Sequence, residues 1–337
     1  MKLLIITQKV NKNDQILGFF HAWLEEFSKQ VEQLTVVCLE EGKHDLPSNV
    51  KVYSLKKEDG SSKLKRVILF YKYIFKERRN YDHVFVHMNQ IYIILGSLVW
   101  KLFGKRVSLW YAHGSVSFSL KIAEKMVDII FTSTEKGFRM VSDKKHIVGQ
   151  GIDANHFSPK KQEFENKYEI NVLTVGRISE VKNIAASIAL LKNSESIILH
   201  LVGDAVTSKD VAYKQQCIDL VNKLHVSDRV IWHGTVPYSN LPRMYQQVEI
   251  FLNLSNTGSL DKTILEALSS GLPVVTCNDA AKGILGVTLV NLDDSERIVN
   301  AIKQDTADAA IQAARENIIY NYSLVGLVTK ITQKLQK

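Results

Sequence analysis

Ile250-Phe251-Leu252-Asn253-Leu254-Ser255-Asn256-Thr257-Gly258-Ser259-Leu260-Asp261-Lys262-Thr263-Ile264-Leu265-Glu266-Ala267-Leu268-Ser269-Ser270-Gly271-Leu272-Pro273-Val274-Val275 decides how this chain of 337 residues folds. The apolar run Ile250–Leu254 predicts a strand, and the polar, glycine-bearing loop after it opens a helix near Asp261. That helix stops at Gly271, and Pro273 starts the next strand. Glu266 falls over a turn inside the helix, in an otherwise apolar run. A carboxylate there is costly unless something satisfies it, and a ribose diol is a suitable partner. A partner arginine or an exposed helix face would explain it as well.

The same alternation extends outward in both directions. Short β-branched runs predict strands at 171–175, 197–202, 230–232, 273–276 and 287–290, with helices between them and a helical C-terminus. Upstream, strands fit 3–7, 34–39, 50–55, 83–87, 107–112, 129–132 and 146–148, and helices fit 18–30, 64–78, 92–103 and 120–127. Strands alternating with helices predict an α/β architecture of parallel sheets covered on both faces, here two doubly wound, Rossmann-like domains. The glycine, asparagine and proline chemistry of Gly149–Pro159, followed by charged residues to Lys167, reads as the linker between them. The expected division is a first domain over 1–150, a second over 151–320, and a C-terminal helix, 321–337, crossing back to the first. Gly149-x-Gly151-x-x-Ala154 has the spacing of a dinucleotide fingerprint, but no helix can follow directly through Asn155–Pro159, which argues against that reading.

Composition excludes several classes. With 45% hydrophobic and 23% charged residues the chain is neither disordered nor fibrous. Cys38, Cys217 and Cys277 are too few and scattered for a disulfide framework or zinc site, and read as reduced, cytosolic core residues. Met1–Thr7 is too short and lacks the cleavage site of a signal peptide, and Ile91–Trp100 is half the length of a membrane span. The net charge of +8 is uneven. Residues 1–165 hold 26 basic and 18 acidic residues, residues 166–337 hold 17 of each, and residues 51–145 alone hold 19 basic and 8 acidic. An anionic surface or ligand is the expected partner of that stretch.

In an open α/β sheet, ligands sit beyond the carboxyl ends of the strands, where helix N-termini present free N–H groups. Leu173-Thr174-Val175-Gly176-Arg177-Ile178-Ser179-Glu180-Val181-Lys182 puts a glycine, an arginine fork and an ammonium just there, a combination suited to a diphosphate. Leu201-Val202-Gly203-Asp204 is a second glycine at a strand exit.

These motifs, with His233-Gly234-Thr235-Val236, Leu265-Glu266-Ala267-Leu268, Gly271–Val275, and Gly151-Ile152-Asp153 with Phe157-Ser158-Pro159, resemble in order the nucleotide-sugar domain of the retaining glycosyltransferases of family four. The resemblance spans roughly residues 145–290. The first half is similar more loosely, through its first strand, Gly18 at a helix start, and Ala112-His113-Gly114. It implies the GT-B fold, two Rossmann-like domains facing a cleft, and transfer of a hexosyl unit from a UDP- or GDP-sugar with retention at the anomeric carbon. It also implies that Arg177 and Lys182 hold the donor diphosphate and that Glu266 takes the ribose. Gly176, Gly203 and the loop Gly258, Ser259, Leu260, Asp261, Lys262 and Thr263 would border the donor, with Val236 near the base. Gly18 would let the first-domain backbone approach the phosphates, and His113 would stand near the transferred sugar, unless it is a hydrogen-bonded core histidine. The family usually carries a glutamate where this chain has Gly258, so Ser259 or Asp261 would have to replace its contact to the sugar. No metal and no cofactor are implied, since cations and backbone N–H groups meet the diphosphate. The acceptor would be a glycan or its lipid-linked precursor. A nucleotide-sugar epimerase or a non-catalytic nucleotide-sugar-binding subunit on the same fold are the rival readings.

Lys63–Arg79 combines dense positive charge with apolar residues at helical spacing. It reads either as a helix packed on the sheet with cations in water, or as one lying on an anionic membrane surface. Nucleic acid is not an expected partner, because no binding motif accompanies the charge. The expected location is cytoplasmic, peripheral on the membrane's inner face.

Overall fold

The computed structural model describes residues 1–160, 169–255, 258–304 and 306–336, and divides into two units: Met1–Gly151 with Leu324–Lys337, and Ile152–Ser323. The first unit contains β1 (Lys2–Val10), α1 (Phe19–Gln30), β2 (Gln33–Glu41), β3 (Val50–Ser54), α2 (Lys63–Lys76), β4 (His83–His87), α3 (Ile91–Leu102), β5 (Arg106–Trp110), α4 (Phe118–Met126), β6 (Ile129–Thr132) and β7 (Lys145–Ile147). The second contains β8 (Ile170–Val175), α5 (Ile184–Ala189), β9 (Ile197–Val202), α6 (Ser208–Lys223), β10 (Val230–Gly234), α7 (Leu241–Gln246), β11 (Ile250–Asn253), α8 (Lys262–Ser269), β12 (Val274–Thr276), β13 (Val287–Leu289), α9 (Ser295–Lys303) and α10 (Asp308–Tyr322). The last helix, α11 (Leu324–Gln336), returns to the first unit.

Both sheets are parallel. Their orders are β3-β2-β1-β4-β5-β6-β7 and β10-β9-β8-β11-β12-β13, so each winds in both directions from its first strand. Every expected strand is present, with β1 running three residues further than its apolar core, to Val10. Leu3, Leu4, Ile5 and Ile6 are all solvent-free because β1 is covered on both faces. Leu3 and Ile5 pack under α1 and α11 with Phe20, Trp23, Phe27 and Val328. Leu4 and Ile6 pack under α2, α3 and α4 with Phe70, Ile74, Trp100 and Leu120. In the second unit Val172 and Leu173 divide the same way between two cores, pairing in register with Leu199 on one side and Phe251 on the other. Serine side chains cap α2 and α4, with Ser62 accepting from the Lys65 N–H and Ser117 from the Leu120 N–H. All three cysteines are free thiols. Cys38 and Cys217 are core residues, and Cys277 is only half-buried, at the exit of β12.

Candidate functional site

In the second sheet the winding reverses between β8 and β11, which are neighbours although far apart in sequence. β8 runs into Gly176 and β9 into Gly203, both at positive φ. A Cβ on Gly203 would stand 1.9 Å from the Gly176 carbonyl oxygen, so the two exits lie this close only because position 203 is glycine. The Gly176 N–H donates to the Val202 carbonyl (2.9 Å) and the Gly203 N–H to the Gly234 carbonyl (2.8 Å), joining three strand exits into one floor.

Lys182 ends a single 3-10 turn above that floor, and Asn183, left-handed at φ 50°, donates its side-chain amide to the Leu254 carbonyl. The Lys182 ammonium lies 2.8 Å from Asp261 Oδ2 and 3.4 Å from Ser255 Oγ. Ser255 Oγ and Asn253 Nδ2 donate to the same carboxylate oxygen at 2.5 and 3.1 Å. Asp261 is the residue before α8, yet its side chain caps no helix N–H. It holds Lys182 over the switch point instead. Arg177 is half exposed, with Nε 3.7 Å from Asp210 Oδ2. Asp210 belongs to the capping box of α6, and the hydroxyl of Thr207, aided by Arg177, keeps its carboxyl below the usual carboxylate range.

α8 turns Glu266 into the core, where the Tyr245 hydroxyl donates to Oε2 at 2.9 Å. Its partner is therefore a tyrosine, with Lys262 one turn earlier supplying the opposing charge, rather than an arginine or solvent. Loss of water pushes the Glu266 carboxyl up to about 7, against the pull of Tyr245 and Lys262, and pushes the Lys262 ammonium down to about 7. Thr263 Oγ1, in the same first turn, is shielded from solvent and has no hydrogen-bond partner among the described residues. Leu260 is buried beneath the loop, Gly258 has φ 72°, and the Ser259 carbonyl accepts from Asn278 Nδ2. Val236 packs half-buried against the core that contains Tyr245.

The remaining two candidates belong to the first unit. Gly18 precedes α1 with helical angles (φ −56°, ψ −32°), so its backbone does not demand glycine. His113 is exposed in the loop after β5, not in the core. Its Nδ1 accepts from the Ser115 N–H at 3.1 Å and contacts Ser115 Oγ at 2.8 Å, which leaves the neutral ring's proton on Nε2. Sequence reasoning does not find Asn253, Ser255, Asn183 or Tyr245. A polar pair ending an apolar strand is the signal available for the first two, and the helix of Tyr245 offers none.

Among the described residues one group could ligate a metal ion, His21, Glu25 and Asp45 in the first unit, and Lys12 already claims Asp45 at 2.5 Å. Beyond β12 and β13 a hollow collects Asp279, Asp293, Asp294 and Glu296, a lining that repels a diphosphate. Lys182, tied to Asp261 at the start of α8, and Arg177, directed to Asp210, are the cations that follow β8, and Glu266 lies deeper in the core.

Residues 156–312 match the family model for glycosyl transferases group 1, and residues 14–136 that for glycosyl transferase 4-like proteins. The chain is 23% identical over 312 residues to the Escherichia coli UDP-Gal:alpha-D-GlcNAc-diphosphoundecaprenol alpha-1,3-galactosyltransferase, covering 80% of this chain and 78% of that one. It is 25% identical over 205 residues to the E. coli O-antigen biosynthesis glycosyltransferase WclY, covering 59% and 52%. Among solved structures, Anabaena HepE in complex with UDP and glucose superposes over the whole of both chains with a TM-score of 0.79 at 16% identity. The sucrose-phosphate synthase of Thermosynechococcus elongatus superposes over 100% and 98% with a TM-score of 0.80, also at 16% identity. Fold and relatives together define a glycosyltransferase of the two-domain GT-B class. Within that class the chain belongs to the family-four type, the group 1 glycosyl transferases.

Proposed function

We propose that this glycosyltransferase moves a hexosyl unit from a UDP-sugar to a glycan or lipid-linked glycan, with retention at the anomeric carbon. The observation that carries the reading is the Lys182 ammonium, held by Asp261 and Ser255 over the switch point of the second sheet, with Asn253 bonded to the same Asp261 oxygen. There it faces the position where a diphosphate gains most from a fixed cation. Lys182 and Arg177 would neutralise the departing diphosphate, and the first turn of α8 would add its N-terminal partial charge. The leaving phosphate oxygen would take the acceptor proton, so no protein nucleophile is required. Glu266 would accept from the ribose hydroxyls, and the unpartnered Thr263 hydroxyl supplies a further group for the donor. UDP is preferred to GDP because a relative's name and a structural neighbour's complex both contain it. A lipid-linked acceptor follows the diphosphoundecaprenol in that relative's name. The enzyme would work on the cytoplasmic side without a metal, since Lys182 and Arg177 already meet the diphosphate charge.

The test is thermal stabilisation by UDP, GDP, ADP and dTDP, followed by anomeric analysis of the product. Nucleotide at about 100 times its dissociation constant stabilises a binder by about 2.7 kcal/mol. UDP should raise the melting temperature of the wild type and fail to do so for Lys182→Ala. Stabilisation by GDP alone would replace the donor, and an inverted product would remove the step in which the leaving phosphate oxygen takes the acceptor proton. Stabilisation by no nucleotide would leave a fold without its transfer chemistry.

A further inference from the structure

Two helices of the first unit face solvent with the wrong residues for water. α3 reads Ile91-Tyr92-Ile93-Ile94-Leu95-Gly96-Ser97-Leu98-Val99-Trp100-Lys101-Leu102, and its buried side holds Tyr92, Ile93 and Trp100. Its other side is also apolar, with Leu98 69% and Leu102 85% exposed. α2 lies alongside. The Tyr71 hydroxyl donates to the Leu95 carbonyl at 2.8 Å, and the Phe75 and Phe103 rings meet edge to face at 5.8 Å. On α2 the exposed apolar residues are Leu64, Ile68 and Phe75, at i, i+4 and i+11, one stripe on the side of the helix toward α3. One exposed leucine is ordinary, whereas five large apolar side chains on two touching helices make a patch that soluble surfaces seldom carry.

The rim of the patch is cationic. Lys65, Lys72 and Lys76 are exposed on α2, Lys101 is exposed on α3, and neither helix contains an aspartate or glutamate. Glu77, the acid that follows α2, is buried and bonded to the Tyr53 hydroxyl and Asn80 rather than lying on the exposed face. A basic helix with an apolar flank is the arrangement of an interfacial membrane helix.

We infer that the α2–α3 face docks on an anionic lipid bilayer, with Leu64, Ile68, Phe75, Leu98 and Leu102 entering the interface and the lysines meeting the headgroups. Charge complementarity selects this occupant. A second copy of the same face would bring lysine against lysine, and a nucleic acid would leave the leucines unsatisfied. The inference goes beyond the transfer chemistry and does not depend on it. It identifies the surface on which a lipid-linked acceptor would be met.

Co-sedimentation of the full chain with phosphatidylcholine vesicles, with and without about one third phosphatidylglycerol, tests it at low and high salt. The wild type should pellet with the anionic vesicles and stay in solution with the neutral ones. Each lysine near the surface contributes about a fivefold factor in partitioning, so Lys65→Gln/Lys72→Gln/Lys76→Gln should lose about a hundredfold. Leu98→Ser/Leu102→Ser should lose the salt-resistant part of binding while its melting temperature stays at the wild-type value, because both side chains are exposed. UDP stabilisation, measured on the same samples, reads the transfer site separately. Equal pelleting with neutral and anionic vesicles overturns the proposal, as does unchanged binding in both variants. A concentration-dependent dimer that Leu98→Ser/Leu102→Ser abolishes overturns it in favour of a second copy.

Discussion

The two sheets share one winding scheme, and their switch points have opposite fates. In the second, between β8 and β11, the exits hold glycine, Lys182, Asp261, Asn253 and Ser255. In the first, between β1 and β4, the His87 ring from β4 stacks on Phe20 at 4.0 Å, and Phe19 and Trp23 pack against it at 6.1 and 6.0 Å. His87 Nδ1 lies 3.5 Å from the Thr7 hydroxyl of β1. An aromatic stack fills the place where a nucleotide would lie. Topology offers the same position twice, and side chains decide whether it is a binding site or a core.

The largest effect separating the two is on stability. Phe20→Ala removes the ring stacked on His87 and should cost about 3–5 kcal/mol in denaturant unfolding, with the donor KM of the surviving folded enzyme unchanged. A changed KM would mean that the first switch point also touches the donor. Lys182→Ala should act in the reverse sense, lowering kcat by about 10²–10³ with a small change in melting temperature. An unaltered kcat would remove Lys182 from the diphosphate.

A third contrast is in pH. Within the second sheet His200 lies 3.0 Å from both His233 Nε2 and Asn171 Oδ1, and burial, aided by His233, brings its pKa down to about 4. A histidine depressed in the folded state stabilises the neutral protein above its unfolded value near 6.5, and that stability is lost as pH falls from there through about 4. Each tenfold fall in proton affinity is worth about 1.4 kcal/mol, and solvent reaching this half-buried ring screens part of it, so the loss should be on the order of 2 kcal/mol. His200→Asn should flatten acid unfolding between those pH values, and an identical acid limb in both proteins would refute the assignment. The smallest effect is expected from Asp261→Asn. It removes the carboxylate that, on the proposed reading, a donor phosphate would displace from Lys182, and should tighten UDP by about threefold, the scale of one partly exposed ion pair. Weaker binding of UDP-sugar with unchanged UDP would place Asp261 at the sugar instead, in the role left open by Gly258.

Much of this contrast is legible in the sequence, and its limits have a physical cause. The strands show because β-branched runs buried on both faces cannot alternate with polar residues, Gly176 and Gly203 show because each directly follows a strand, and Lys182 shows because it lies in the connection from β8 to the next helix. What the chain assembles across the sheet stays hidden. Lys182 meets Asp261 only because β8 pairs with β11. Glu266 meets Tyr245 only because α7 and α8 pack into one core. Phe20 and Trp23 can be read as a helix's buried side, but the stacking of Phe20 and the tilted packing of Trp23 on His87 depend on β4 lying beside β1.

α11 sets a timetable for synthesis. Its Leu327, Val328 and Ile331 complete the core above Leu3 and Ile5, and Gln30 Nε2 donates to the Thr329 hydroxyl while Oε1 accepts from Thr332. The first unit leaves the ribosome first and is finished last, after all of Ile152–Ser323 has been made. At roughly 5–20 residues per second that wait is on the order of ten to thirty seconds. Through it, α1 must leave part of its apolar side uncovered, so the nascent N-terminal half is the part of this chain that a chaperone would hold.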